Sequence, residues 1–237
     1  AQVPVSDPHA LAKYLTALDP YQIDGVAIMA PESPQVRDAM ARLIERGIKV
    51  VQFLSGQEKL PTADFVGVNN FAAGATAGKI VGRFLGQTPA KMMAQDSIER
   101  RLGFDKIIRG QFPNLSPLPS LETYGDERRA AQVIGRMLEH NPDIGGVYVL
   151  SAEARIPISA IEAVTDPRRL TVVVHERTPF SEEALRDERL DAVIAQNPGH
   201  AVRSAARIMR ARVEQREPLA SQETIRIEIL LKENLTP

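Results

Sequence analysis

Short apolar, β-branched runs alternate with amphipathic stretches along nearly the whole chain, and this alternation limits the fold more than any other feature. The strand-like runs are "GVAIMA" (25–30), "IKVVQFL" (48–54), "FVGV" (65–68), "GGVYVL" (145–150), "LTVVVHE" (170–176) and "DAVIAQ" (191–196). Most are apolar throughout, the pattern of parallel strands buried on both faces. Between them the apolar residues recur at helical spacing. Leu11, Tyr14, Leu15 and Leu18 form one stripe, and Val36, Ala39, Met40, Leu43 and Ile44 another. Ala130, Val133, Ile134, Met137 and Leu138 repeat it, as do Val202, Ala205, Met209 and Val213. Strand and helix in alternation make βαβ units, which implies an α/β fold with parallel sheets and helices on both sides. The last run, "TIRIEILL" (224–231), alternates apolar with mostly polar residues and reads as a half-exposed strand.

The alternation breaks in two places. The chain opens on a helical stretch, "SDPHALAKYLTAL", with no strand before it. Between the helix ending near Leu85 and the one starting near Ser97 only "GQTPAKMMAQD" remains, and "AKMMA" makes a poor strand. Segments are therefore expected to be missing before residue 1 and near residues 91–93.

Composition excludes several function classes. With 237 residues the chain can bury a sizeable core, as one large domain or two small ones. Its net charge of -1 argues against this chain gripping nucleic acid itself, which takes a basic surface. It has no cysteine, so disulfides and thiol chemistry are out. No apolar run approaches the roughly 20 residues that span a bilayer. Four scattered histidines (9, 140, 175 and 200) make no metal-ligand spacing, and no cofactor is expected. "GATAGKIVG" (74–82) resembles a phosphate loop only superficially: the spacing is one short, and Ile80 stands where Ser or Thr would bind magnesium. Gly74, Gly78 and Gly82 lie four apart on one helix face, which suits close helix packing. Arg203, Arg207 and Arg210 share a face of the late helix and read as a solvated face.

The sparse polar side chains at strand ends carry more information. Asn69 and Asn70 follow "FVGV", Arg155 follows "VYVLSAEA", Glu176 follows "VVVH", and Gln196 ends "DAVIAQ". Side chains at the carboxyl ends of parallel strands line the ligand crevice. An arginine, a carboxylate and amides suit the hydroxyls of a small polar ligand, and nothing among them makes a nucleophile–base pair. "QDSIERRLGFDKII" (95–108) adds a puzzle. Asp96 and Glu99 form a capping-box pattern at a helix start, yet Arg100 and Arg101 follow where the helix dipole opposes cations. Spacing alone leaves Arg100 either as a ligand-facing arginine or as a surface arginine paired with Glu99 or Asp96.

"DGVAIMAP", "GIKVVQFLS", "VGVNNFAAGATAGKIV", "ERRLGF", "GGVYVLSA", "LDAVIAQNPGHAVRSAARIM" and "KENLTP" occur in an order that resembles the effector-binding domains of the lactose-repressor (LacI/GalR) family. Those domains are similar to type I periplasmic sugar-binding proteins. The resemblance implies two doubly wound lobes clamping a ligand. One would comprise 1–86 plus 197–217 and the other 87–196 plus 218–237, with a helix-turn-helix domain upstream. It implies that Arg100 donates to ligand hydroxyls. It also implies that Asn69, Glu176, Gln196, Arg155 and Tyr124 border the site, with Asn69 in place of the usual aspartate; Asp96, at the start of the Arg100 helix, is counted with them as a ligand-binding candidate. "SAEARIP" departs from the pattern of some sugar-responsive members: it keeps the arginine but not the asparagine before it.

The reading is a cytoplasmic effector-sensing domain of a LacI-type transcription regulator. It would bind a sugar or sugar derivative, form a homodimer, reach operator DNA through the upstream domain, touch no membrane and catalyse no reaction. A periplasmic sugar-binding protein of a transporter is the first alternative, and a small α/β enzyme acting on a sugar or nucleoside the second.

Overall fold

The computed structural model describes residues 7–30, 32–56, 60, 63–86, 88–95, 98–123, 125–151 and 153–235, with the side chains of 92–95 and 98 left aside. In chain order the elements are α1 (Pro8–Thr16), β1 (Gly25–Ile28), α2 (Pro34–Glu45), β2 (Lys49–Phe53), β3 (Asp64–Val66), α3 (Asn70–Leu85) and β4 (Ala90–Gln95). There follow α4 (Ile98–Gln111), β5 (Leu115–Pro117), α5 (Glu127–His140), β6 (Ile144–Val149), α6 (Arg155–Glu162) and β7 (Thr171–His175). The last are α7 (Pro179–Arg186), β8 (Ala192–Gln196), α8 (Pro198–Val213), α9 (Ala220–Glu223) and β9 (Ile227–Leu230). Two units emerge: residues 1–68 with 197–226, and residues 69–196 with 227–237.

The first unit holds a parallel sheet of order β1-β2-β3. One of its cores gathers Leu15 of α1, Val36, Ala39, Met40 and Leu43 of α2, and Ile28, Ile48 and Val50. Each of these larger aliphatic side chains, fully buried, contributes roughly 1.5–3 kcal/mol. Helix α8 packs against the same three strands. Its buried residues are Ala201, Ser204, Ala205 and Ile208, whereas Val202 and Val213 are exposed. The expected stripe of Val202, Ala205, Met209 and Val213 is thus turned from the true one. Ser204 hid the register, because a serine was not counted as a core residue. Tyr14 of the first stripe is also exposed, while Leu15 is buried.

The second unit holds a six-stranded sheet of order β5-β4-β6-β7-β8-β9. All pairings are parallel except that of β9, which runs antiparallel to β8 at the edge. That edge position explains the alternating pattern of 224–231. Val147, Val149, Val172, Val174, Val193 and Ala195 face α5, α6 and α7. Their neighbours Tyr148, Leu150, Val173, Ala192 and Ile194 face α3 and α4. The period of two in a strand sends successive side chains to opposite faces, so each strand serves two cores.

Three expectations are corrected here. "AKMMA" is a strand: β4 is hydrogen-bonded on both sides, by β5 and β6, so no segment is wanted near 91–93. Unbranched methionines carry little strand signal, and central pairing overrides propensity. The edge strand β5, three residues ending on a proline, also went unforeseen. Helix α3 belongs to the second unit, not to the first as 1–86 required. The glycine face explains this. A Cβ added at Gly74 would strike the backbone carbonyl of Arg100, one at Gly78 would crowd that of Phe104, and one at Gly103 would strike that of Phe71. Helices α3 and α4 therefore touch backbone to backbone. Finally, 218–226 stays with the first unit. There α9 is tied to α8 by Arg207–Glu223 and by His200 Nε2, 2.9 Å from the Gln222 carbonyl. Among the described residues no helix is long and apolar enough to cross a membrane.

Candidate functional site

Counted along the second unit, its five parallel strands stand in the order 2-1-3-4-5. A doubly wound sheet of this order has its switch point between the first and third strands, here β4 and β6, and ligands bind outside the carboxyl ends there. Helix α4 leaves β4 at that point, and Arg100 lies on its first turn. The close approach of α3, permitted by Gly74, sets the height at which Arg100 stands.

The Arg100 guanidinium is held by three different elements. Its Nε donates to Asn70 Oδ1 at 2.9 Å, at the start of α3. One Nη donates to the carbonyl of Leu150, just past β6, at 2.5 Å. The other lies 3.4 Å from Glu176 Oε1, just past β7. Gln196 Nε2, at the end of β8, donates to the same oxygen at 3.3 Å. An arginine has five N–H groups, so two on Arg100 and the second oxygen of Glu176 take no partner among the described residues. The side chains of Arg100 and Glu176 are only 13% and 22% exposed. Burial pushes the Glu176 carboxyl above its ordinary pKa, against the pull of Arg100 and Gln196. This answers the electrostatic puzzle within the fold: a partly buried carboxylate just past β7 offsets what the α4 dipole opposes.

A second layer supports this cluster. Tyr148 of β6 stacks on Phe104 of α4, with ring centroids 4.9 Å apart, and its hydroxyl lies 2.6 Å from His175 Nε2 at the end of β7. Both rings are fully buried. Burial, helped by Arg100, holds the imidazole well below its ordinary pKa, while burial raises that of the phenol. A neutral tyrosine and a neutral histidine share one proton-bearing contact behind the arginine.

Of the residues singled out from sequence, the structure brings Arg100, Glu176 and Gln196 together. Asn69 does not join them: it spends its Oδ1 capping α3, accepting from Ala72 N at 2.8 Å. Asn70, not Asn69, reaches Arg100. Arg155 is exposed at the start of α6, with Glu153 at 3.9 Å, and does not join the cluster. Tyr124 and Asp96 lie outside the described residues. Arg101 turns away, bonding Asp105, Ser120 and the Leu118 carbonyl. The Tyr148–His175 pair was not foreseen. Its signal was a lone tyrosine inside a buried apolar strand next to a strand ending in histidine. Among the described residues no group of acidic and histidine side chains could hold a metal. The Arg100–Glu176–Gln196 cluster offers N–H donors and carboxylate acceptors of the kind that hydrogen-bond hydroxyls.

Solved structures share this architecture. A solute-binding protein of an ABC transporter from Burkholderia graminis, in complex with D-arabinose, is 21% identical, with TM-score 0.80 over 94% of this chain and 80% of that one. One from Actinobacillus succinogenes, with bound D-allose, is 18% identical, with TM-score 0.82 over 98% and 85%. GanP, a glucose-galactose binding protein from Geobacillus stearothermophilus, is 17% identical, with TM-score 0.84 over 99% and 84%. No curated protein matches the chain. The fold is thus type I periplasmic-binding-protein-like. The family described as periplasmic binding protein domain matches residues 10–217, and the chain belongs to that family.

Proposed function

We propose that this chain binds a sugar reversibly as the solute-binding component of a membrane transporter. The observation that carries the reading is the pairing, at the switch point of the second unit, of Arg100 donors with a Glu176 carboxylate oxygen, both unspent among the described residues. A sugar hydroxyl both donates and accepts, so one hydroxyl can take an Arg100 N–H while another donates to Glu176. The sugars named for the similar structures, D-arabinose and D-allose, support the class. They also move the balance from regulator to transporter, which would put the working protein outside the cytoplasmic membrane.

The effector domain of a LacI-type regulator is the second reading. The ordered motifs up to "KENLTP" favour it, and with it come a cytoplasmic site, a homodimer and operator DNA reached through another domain. The coding sequence ahead of residue 1 discriminates: a secretory leader or a helix-turn-helix.

Calorimetry and thermal unfolding against D-allose, D-arabinose, D-glucose, D-galactose and D-ribose test the sugar reading. Saturable binding is expected for at least one. At a hundred times its Kd that sugar stabilises the fold by about 2.7 kcal/mol. A response to amino acids or nucleosides, with none to any sugar, would overturn it.

A further inference from the structure

We propose that Glu176 sets the charge class of the ligand: it is a built-in counter-anion that reserves the Arg100 site for uncharged polyols and turns away sugar acids and sugar phosphates. The proposal rests on the sugar-binding reading but concerns a property which that reading leaves open.

Without Glu176 the surroundings of Arg100 describe an oxyanion receptor. The guanidinium stands on the first turn of α4 and bonds the first residue of α3, so two helix N-termini meet at one full positive charge. Helix N-termini carry partial positive charge, and arginine in a partly buried place is the side chain that grips phosphate and carboxylate in pairs of bonds. The chain supplies that anion itself. Glu176 Oε1 lies 3.4 Å from Arg100 and is held in place by Gln196. The pair is neutral in sum, and a ligand carboxylate or phosphate at Arg100 would sit beside a second negative charge with little water to screen it. A hydroxyl meets no such opposition.

The distances also argue against a pair closed on itself. Arg100 and Glu176 meet through one long contact, and Gln196 approaches the same oxygen at 3.3 Å. Glu176 Oε2 keeps its lone pairs, and Arg100 keeps two N–H groups, among the described residues. An acceptor-only carboxylate at this place demands a donor from the ligand. Hydroxyls meet that demand, whereas ionised carboxylates cannot.

The test uses inorganic phosphate as the probe, titrated into wild type, Glu176→Gln and Glu176→Asp and followed by amide NMR. Glu176→Gln should bind phosphate at least about tenfold tighter than wild type, the gain of one charge-assisted contact. The shifts should centre on the Arg100 and Asn70 amides. Glu176→Asp keeps the charge and should go on excluding phosphate. D-glucuronate should follow the same ranking. A folded Glu176→Gln that gains no phosphate affinity overturns the proposal, as does a wild type that binds phosphate equally well. Should the glutamine variant fail to fold, Glu176→Ala carries the same comparison. The phosphate arm does not depend on which sugar binds. A gain in Glu176→Gln with no sugar bound by wild type would sink the sugar reading alone; sugar binding without the gain would sink the charge-class proposal alone.

Discussion

Two arginine–carboxylate pairs, one in each unit, look alike in sequence and differ in every structural respect. In the first unit Arg212, in the last turn of α8, forks onto both oxygens of Asp64 at 2.8 and 2.9 Å and onto both oxygens of Glu217 at 3.0 Å. Nearly all its donors are spent on anions. The pair stands at the amino end of β3, in a pocket of about 440 Å³ that Lys49 also lines. Doubly wound sheets bind ligands at the opposite end of their strands, so this concavity lies at the wrong end for the family's chemistry. In the second unit Arg100 stands at the carboxyl ends. It divides its donors among an amide, a carbonyl and one distant carboxylate oxygen, and keeps two in reserve. The closed fork ties a helix to a strand, whereas the open one leaves donors for a ligand. What separates them is how much hydrogen-bonding capacity the fold leaves unspent, and at which end of the sheet.

The largest effect should come from moving the open fork bodily. Gly74→Val puts side-chain atoms where the Arg100 carbonyl lies, so α4 must shift. Overpacking against backbone should cost about 3 kcal/mol in urea unfolding, and sugar affinity should fall with it. Gly110→Ala, on α4 itself, meets nothing within 4 Å. It should be neutral or stabilising by up to about 1 kcal/mol. Equal losses in the two variants would mean that α4 is not positioned by its contact with α3.

Arg100→Ala should follow, with two separable losses. Sugar binding should weaken about 10- to 100-fold, the worth of charge-assisted hydrogen bonds. Stability should also fall, by about 2 kcal/mol, because Glu176 is left buried without its partner. In the double variant Arg100→Ala with Glu176→Gln, stability should recover while binding does not. By contrast, Arg212→Ala should cost about 1–2 kcal/mol of stability and leave sugar affinity unchanged, since Arg212 and its second partner Glu217 lie nearer water than Arg100 does. The side chains of Arg212 and Asp64 are 34% and 23% exposed. Lost affinity in Arg212→Ala, measured by calorimetry, would break the distinction between the two forks.

The same contrast shows what sequence could and could not give. Seven of the nine strands among the described residues stand close to their runs, six because buried parallel strands are continuously apolar and β9 because a half-exposed edge strand alternates. Strands β4 and β5 escaped because one is made of unbranched residues and the other is three residues long. The unit boundary at α3 was misplaced because glycines mark close packing without naming the partner. Arg100, Glu176 and Gln196 were legible as strand-end and helix-start polar residues. Their arrangement was not: whether an arginine's donors are spent or spare depends on distances between residues 50 and 76 apart in the chain. Asn69 and Asn70 illustrate the limit, since adjacent identical residues divide capping and arginine-holding between them.

The smallest effect concerns what lies behind the open fork. His175 is buried on Tyr148, and its pKa is held well below the ordinary value of 6.5 by burial first and Arg100 second. A histidine depressed in this way binds fewer protons folded than unfolded. Its contribution to stability is whole above about pH 6.5 and is lost as pH falls below that value toward the folded pKa, with a slope approaching about 1.4 kcal/mol per pH unit. Glu176 works in the opposite sense: its raised carboxyl makes the folded state the tighter proton binder, so its contribution grows as pH falls toward 4.5. Between pH 6.5 and 5.5 the histidine's share is a loss, and Glu176 offsets part of it. Urea unfolding of wild type at pH 7.5, 6.5 and 5.5 should therefore show a loss of up to about 1 kcal/mol in the last step. His175→Gln retains an acceptor for the Tyr148 hydroxyl but cannot titrate, and should lose correspondingly less over that step. Tyr148→Phe keeps the ring stacked on Phe104 and leaves the imidazole buried beside Arg100, so its acid limb should remain steep. An acid limb unchanged in His175→Gln would show that the imidazole takes up its proton as readily folded as unfolded. The layer behind Arg100 would then be as indifferent to pH as an apolar core.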